Sequence, residues 1–193
     1  VNARSLVVVL AVLLAAGLSG PAQQPKKKGK EKEEKLPLNE AVVAFCKANL
    51  GKQVGEGECA HLASAALKEA GAKPHREFPD SPDTGDYVWG TLVFGMEFKD
   101  GKGATEGSVA KVRPGDIIQY RDAKFSGRKP TGGTYTSTAA HHTAVVGAVS
   151  PDGKVLSLLQ QNSGGKRLVT EATQTLTDMQ AGWLKVYRPV AAE

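Results

Sequence analysis

The chain has 193 residues and a formal net charge of +5, but seven Lys/Arg and three Glu fall within residues 1–35, leaving 18 basic against 17 acidic side chains from Leu36 onward. A near-neutral remainder without a basic stripe of interleaved aromatics excludes nucleic acid as the expected partner. The remaining stretch, about 158 residues, suffices for one domain with a sizeable core.

Arg4 precedes an apolar run, Leu6–Leu18, followed by Ser19-Gly20-Pro21-Ala22, the three regions of a secretory signal. The run, about 13 residues, is short for a membrane span, which needs about 20. The expectation is a signal peptide over residues 1–22 and a secreted or periplasmic protein, with an uncleaved membrane anchor as the alternative. Residues 23–37 include QQPKKKGKEKEEK, a charged stretch without apolar side chains that reads as a disordered tether. A plain spacer is the first reading of it, and a peripheral contact of its lysines with an acidic envelope polymer the second.

Leu38-Asn39-Glu40 opens a helix with Asn39 as candidate N-cap, and Ala41–Leu50 continues it up to Gly51. Cys46 reads as a small buried residue on that helix, although an oxidising compartment also permits a Cys46–Cys59 disulfide. The stretch Val54–Gly71, VGEGECAHLASAALKEAG, runs a glycine turn into a second helix. From Cys59 the helical steps land on Leu62, Ala63, Ala66, Leu67 and Ala70, one apolar face, and Gly71 supplies the stop. Cys59 therefore sits in the first turn, where unpaired N–H groups and the helix dipole favour an anion. That is a place for a nucleophile, and equally for a small packed cysteine.

Lys73–Asp86 reads as a loop, Tyr87–Gly90 and Leu92–Phe94 as short extended segments, and Lys99–Glu106 as a turn-rich connection. From Val112 the pattern becomes β-sheet. Arg113-Pro-Gly-Asp116 is a turn, Ile117–Arg121 a strand, Phe125–Thr138 a long exposed loop and His142–Val149 a strand. Ser150–Lys154 is a hairpin turn, Val155–Gln161 pairs back, and segments at Arg167–Glu171 and Trp183–Arg188 complete the set. The expected class is α+β over residues 38–190, with N-terminal helices packed on about five antiparallel strands.

A thiol nucleophile needs a base and a group to orient that base. His61 lies two residues beyond Cys59 and points to another helix face; His75 sits in a Pro-rich loop. His141 and His142 enter a strand, where neighbours point to opposite faces, so at most one aims at the helix; spacing alone does not choose. Counting out from the hairpin turn brings His142 level with about Gln160–Asn162, whose side-chain amides can accept a ring N–H and fix the tautomer. Tyr87 and Trp89 are core aromatics or the lining of a substrate cleft. Cys-x-His on a helix and adjacent histidines on a strand diverge, so no metal site is expected.

Gly55-x-Gly57-Glu-Cys59 opening a helix, Arg113-Pro-Gly-Asp-Ile-Ile118, His142-Thr-Ala-Val-Val146 and Gln160-x-Asn162 occur in this order. Together, across about Val43–Pro189, they resemble the cysteine, histidine-dependent amidohydrolase/peptidase (CHAP) family and its NlpC-type, papain-like relatives. The resemblance implies a papain-like fold of helices on a sheet or half-barrel, with no cofactor. It also implies cleavage of an amide, usually in bacterial peptidoglycan, by Cys59 as nucleophile and His142, rather than His141, as base. Gln160 and Asn162 match the family's Glu-x-Asn pair, except that a glutamine stands where the family has a charged carboxylate. The resulting expectation is a secreted, monomeric cysteine amidohydrolase acting on peptidoglycan or a cell-envelope peptide. Tyr87, Trp89 and His141 are its expected substrate contacts. The alternative is a catalytically weak or inactive papain-like module that binds an envelope ligand.

Overall fold

The computed structural model describes residues 36–82, 85–129 and 131–193; the expected signal peptide and the tether up to Lys35 lie outside them. Two helices come first, α1 (Leu38–Ala48) and α2 (Cys59–Ala70). Seven strands follow: β1 (Thr91–Lys99), β2 (Lys102–Gly107), β3 (Ile117–Arg128), β4 (Thr134–Val149), β5 (Val155–Gln160), β6 (Thr170–Thr175) and β7 (Met179–Arg188). They form one antiparallel sheet in the order β2-β1-β7-β3-β4-β5-β6. The class is α+β, as expected.

The helical periodicity is realised directly. Leu62, Ala63, Ala66, Leu67 and Ala70 of α2 are buried, and Gly71 ends the helix in the left-handed conformation at φ 78°. With Val42 and Cys46 of α1 they pack on Ile117, Val145, Leu159 and Tyr187, one face of the sheet. Burial without a charged partner pushes the Cys46 thiol up to about 12, so it is an inert core group. Cys46 and Cys59 are both free.

The opposite face carries Ile118, Tyr120, Ala144, Val146, Leu158, Leu184 and Val186, gathered in a second core with Phe125, Leu176 and Met179. The central strands are thus buried on both sides, and the sheet curls over this second core. Register shifts between Arg121 and Phe125 of β3 opposite β7 provide the bend. Gly182 sits there at φ 77°, and a Cβ on it would fall 2.3 Å from the Asp122 carbonyl oxygen, so the close approach requires glycine.

Two segments read as connections are strands. Residues expected as a long loop, Phe125–Thr138, are mostly the outer halves of β3 and β4, paired from Phe125↔Ser137 to Arg128↔Thr134. Residues read as a turn-rich connection after Lys99 contain β2, paired along β1. Asn39 also has a different task, for the cap position belongs to Pro37. The Asn39 amide donates to the Pro114 carbonyl (2.9 Å) and to Asp116 Oδ1 (3.0 Å), tying α1 to the Arg113–Asp116 turn. Gly115 in that turn, at φ 87°, lies against the Asn39 backbone too closely for any Cβ.

Asp116 is fully buried. It accepts from Arg188 Nε (2.8 Å) and Nη2 (2.9 Å) and from the Arg113 N–H (2.8 Å). The bidentate pair holds the Arg188 guanidinium above its ordinary pKa. Asp116→Ala strips Arg188 of its carboxylate and removes one of the two bonds that tie Asn39 of α1 to the turn. The expected loss is on the order of 3 kcal/mol, read as a lower urea midpoint at unchanged slope.

Candidate functional site

Cys59 begins α2 behind an extended Glu58, and its side chain is half-buried. The turn that presents it is held from the sheet by Gln161, the residue just past the end of β5. The fully buried Gln161 side chain accepts the Val54 N–H (2.7 Å) and donates to the carbonyls of Val54 (2.9 Å) and Glu58 (2.9 Å). These three bonds engage the carbonyl oxygen and both amide hydrogens of a side chain that water does not reach. Sequence reasoning singled out its two neighbours and passed over Gln161. Strand alternation carried the missed signal, because a residue between Gln160 and Asn162 must point the other way, toward the helix.

His142 Nε2 lies 2.9 Å from Gln160 Oε1. The carbonyl oxygen accepts the Nε2–H, which leaves Nδ1 as the unprotonated nitrogen. The imidazole is held below the ordinary histidine range, chiefly by burial, against a smaller upward pull from Gln160 and with a further downward push from His141. It is therefore a neutral ring at neutral pH. Asn162, in the left-handed region at φ 57°, does not join this pair. It donates to Glu58 Oε2 (2.6 Å), while Arg167 Nη2 donates to Glu58 Oε1 (2.7 Å).

The two histidines part across the sheet. β3 and β4 are in unbroken register from Ile117↔Val145 to Arg121↔His141. His142 therefore shares the face of Ala144, Val146 and Tyr120, and His141 that of Thr143 and Val145, on which the helices pack. No hydrogen bond joins Cys59 to His142 among the described residues. His142 and Gln160 instead border a cavity of about 320 Å³ with Tyr120, Asn162, Thr173 and Gln174, and His141 is also among its lining residues. Cys59, Tyr87 and Trp89 are not among its described lining residues.

Of the expected substrate contacts, His141 alone is among that cavity's described lining residues. Trp89 is fully buried, and its indole N–H donates to Gln119 Oε1 (2.9 Å), which also accepts from Thr143 Oγ1 (2.9 Å). It is packed in the core on the helical side of the sheet. Tyr87 is half-buried, with its ring centroid 4.1 Å from that of His75. His141 Nε2 bonds the Gly85 carbonyl oxygen and lies 3.5 Å from Asp86 Oδ1. That carboxylate also takes Arg121 Nε at 2.7 Å. His141 thus fastens the Gly85–Asp86 segment to β3 and β4. Among the described residues, no three His, Cys, Asp or Glu side chains converge as metal ligands.

The depressed imidazole has a signed consequence. An unfolded histidine binds its proton near pH 6.5 and folded His142 only at lower pH. Its contribution to stability is complete above about pH 6.5 and is lost as the pH falls toward the folded value. Melts from about pH 7.5 to 5 are expected to show a falling Tm, and His142→Asn to remove much of that slope.

Residues 22–193 match the family described as the AIM3/BBC1 cysteine proteinase-fold domain. A curated relative, Altered inheritance of mitochondria protein 3 of Debaryomyces hansenii, is 28% identical over 162 residues; the match takes in 80% of this chain and 16% of that protein. The chain therefore spans about a sixth of that relative's length. Among solved structures, Ly7917 is 19% identical with a TM-score of 0.43, over 78% of this chain and 62% of its own. Ly7917 with the hydrolyzing product of MDP is 20% identical with a TM-score of 0.44, over 80% and 63%. What Ly7917 holds is a property of Ly7917. The chain matched here belongs to the AIM3/BBC1 cysteine proteinase-fold domain family.

Proposed function

We propose that this domain is a papain-like module that binds an amide-bearing ligand, of the kind a cell-envelope peptide presents, and turns it over weakly or not at all. The observation that carries this is the His142–Gln160 pair: a neutral imidazole, bonded to a neutral amide, on the sheet face turned away from α2. Attack by Cys59 requires an imidazole that takes the thiol proton and becomes cationic. A carboxylate in place of Gln160 would stabilise that cation, whereas the amide accepts the ring N–H and contributes no charge. The envelope setting rests on the signal-like run Leu6–Leu18 and the lysine-rich tether.

The competing reading, a secreted cysteine amidohydrolase, uses the same residues with Cys59 and His142 in contact. Wild-type protein incubated with purified peptidoglycan and with simple peptides is expected to release no new amine above the level of Cys59→Ala, while still co-sedimenting with the insoluble polymer. Release that Cys59→Ala abolishes sinks the binding-module reading.

Thiol labelling gives a second check. A base in contact with Cys59 accelerates its alkylation, so His142→Ala would slow iodoacetamide labelling in an enzyme. Here equal rates are expected. Gln160→Glu places a carboxylate on the imidazole and is expected to raise the His142 pKa by about one unit or more, followed by NMR titration of the ring.

A further inference from the structure

The cavity beside His142 has a chemistry of its own. Among the described residues its lining contains no Asp, Glu, Lys or Arg. Tyr120, which lines it, is 2% exposed, and its hydroxyl is the one buried side-chain polar atom without a hydrogen-bond partner among the described residues. Burial pushes that phenol far above its ordinary pKa, so it stays a neutral donor. Tyr120 pairs with His142 across β3 and β4, and the ring centroids lie 6.2 Å apart. Of the nearby side-chain amides, the Gln160 carbonyl oxygen is engaged by His142 and the Asn162 amino group by Glu58. Among the polar groups of this wall, His142 Nδ1 stands as an acceptor beside the Tyr120 hydroxyl, a buried donor without a partner.

We propose that this cavity binds an uncharged secondary amide, whose N–H is accepted by His142 Nδ1 and whose carbonyl accepts the Tyr120 hydroxyl. A secondary amide offers one donor and one acceptor, which match His142 Nδ1 and the Tyr120 hydroxyl. A charged group would be stripped of water with no counter-charge to meet it. The volume, about 320 Å³, suits a single N-acetylated sugar or a dipeptide-sized unit. The hydroxyl is closed to bulk water, so the bond forms as wall side chains adjust their rotamers on binding. The inference rests on the reading of the domain as a binding module and names the ligand chemistry of that site.

The test titrates the full chain with N-acetylglucosamine and with N-acetylalanine methylamide, using acetate and methylammonium as charged controls, and follows the His142 ring signals by NMR. At least one neutral amide is expected to shift those signals, and which one does distinguishes a sugar from a peptide source; the charged probes are expected to leave them in place. Tyr120→Phe is expected to weaken the neutral probe about tenfold, the share of one hydrogen bond. Its Tm without ligand is expected to equal or exceed that of the wild type, because an unsatisfied hydroxyl is removed. Equal binding of charged probes, or unchanged affinity in Tyr120→Phe, overturns the inference. Retained co-sedimentation with peptidoglycan would leave the module reading standing in that case. Cys59-dependent amine release overturns that reading while the Tyr120 result still decides the amide site.

Discussion

Alternate residues of β3, β4 and β5 are buried in two different cores, and each contact at the site follows from a residue's parity along its strand. On β4 from His141 to Val146, odd positions lie on the face of α1 and α2 and even ones on that of the curled interior, whereas farther out Tyr135 and Ala139 also pack on the second core. The same division places Gln119 and Thr143 with Trp89 on the helical side, and Tyr120, His142 and Gln160 together on the other. A one-residue slip would exchange the two sets wholesale. Paired burial on both faces makes such a slip expensive, so the separation of His141 from His142 is as firmly set as the cores themselves.

Two polar side chains bind the helical layer to the sheet. Asp116 collects Arg188, the Arg113 N–H and Asn39, so it joins β7, the start of β3 and α1 in one buried cluster. Gln161 spans from β5 to the cysteine turn. Both are groups that apolar packing alone would reject and that hydrogen bonding makes acceptable. Helix packing sets where α2 lies, and Gln161 sets the path of the turn that leads to Cys59.

Local periodicity made α2 legible, down to its buried face and its glycine stop, because one stripe of a helix faces a core. The His142–Gln160 juxtaposition was legible too, since a hairpin turn fixes which residues stand opposite. The face to which His142 points was not. Where both sides of a strand are buried, the apolar pattern becomes continuous and no longer reports orientation. The outer parts of β3 and β4, with β2 and β6, were under-read for the reverse reason. KGATEG and TEATQT carry almost no apolar side chains, and their pairing is held by backbone bonds that leave no mark in composition. Trp89 shows a third limit. Nothing local separates an aromatic in a cleft from one whose N–H is met by Gln119 thirty residues away.

The Gln161 bridge also orders events in time. Val54 and Gln161 are 107 residues apart, whereas α2 is closed by bonds within its own turns. Contacts of such separation bear the entropy of closing a long loop and form after local ones. As the chain leaves a ribosome, the helix behind Cys59 can therefore exist long before the turn in front of it does. The presentation of this cysteine belongs to the last stage of assembly, when the far half of the sheet has already closed.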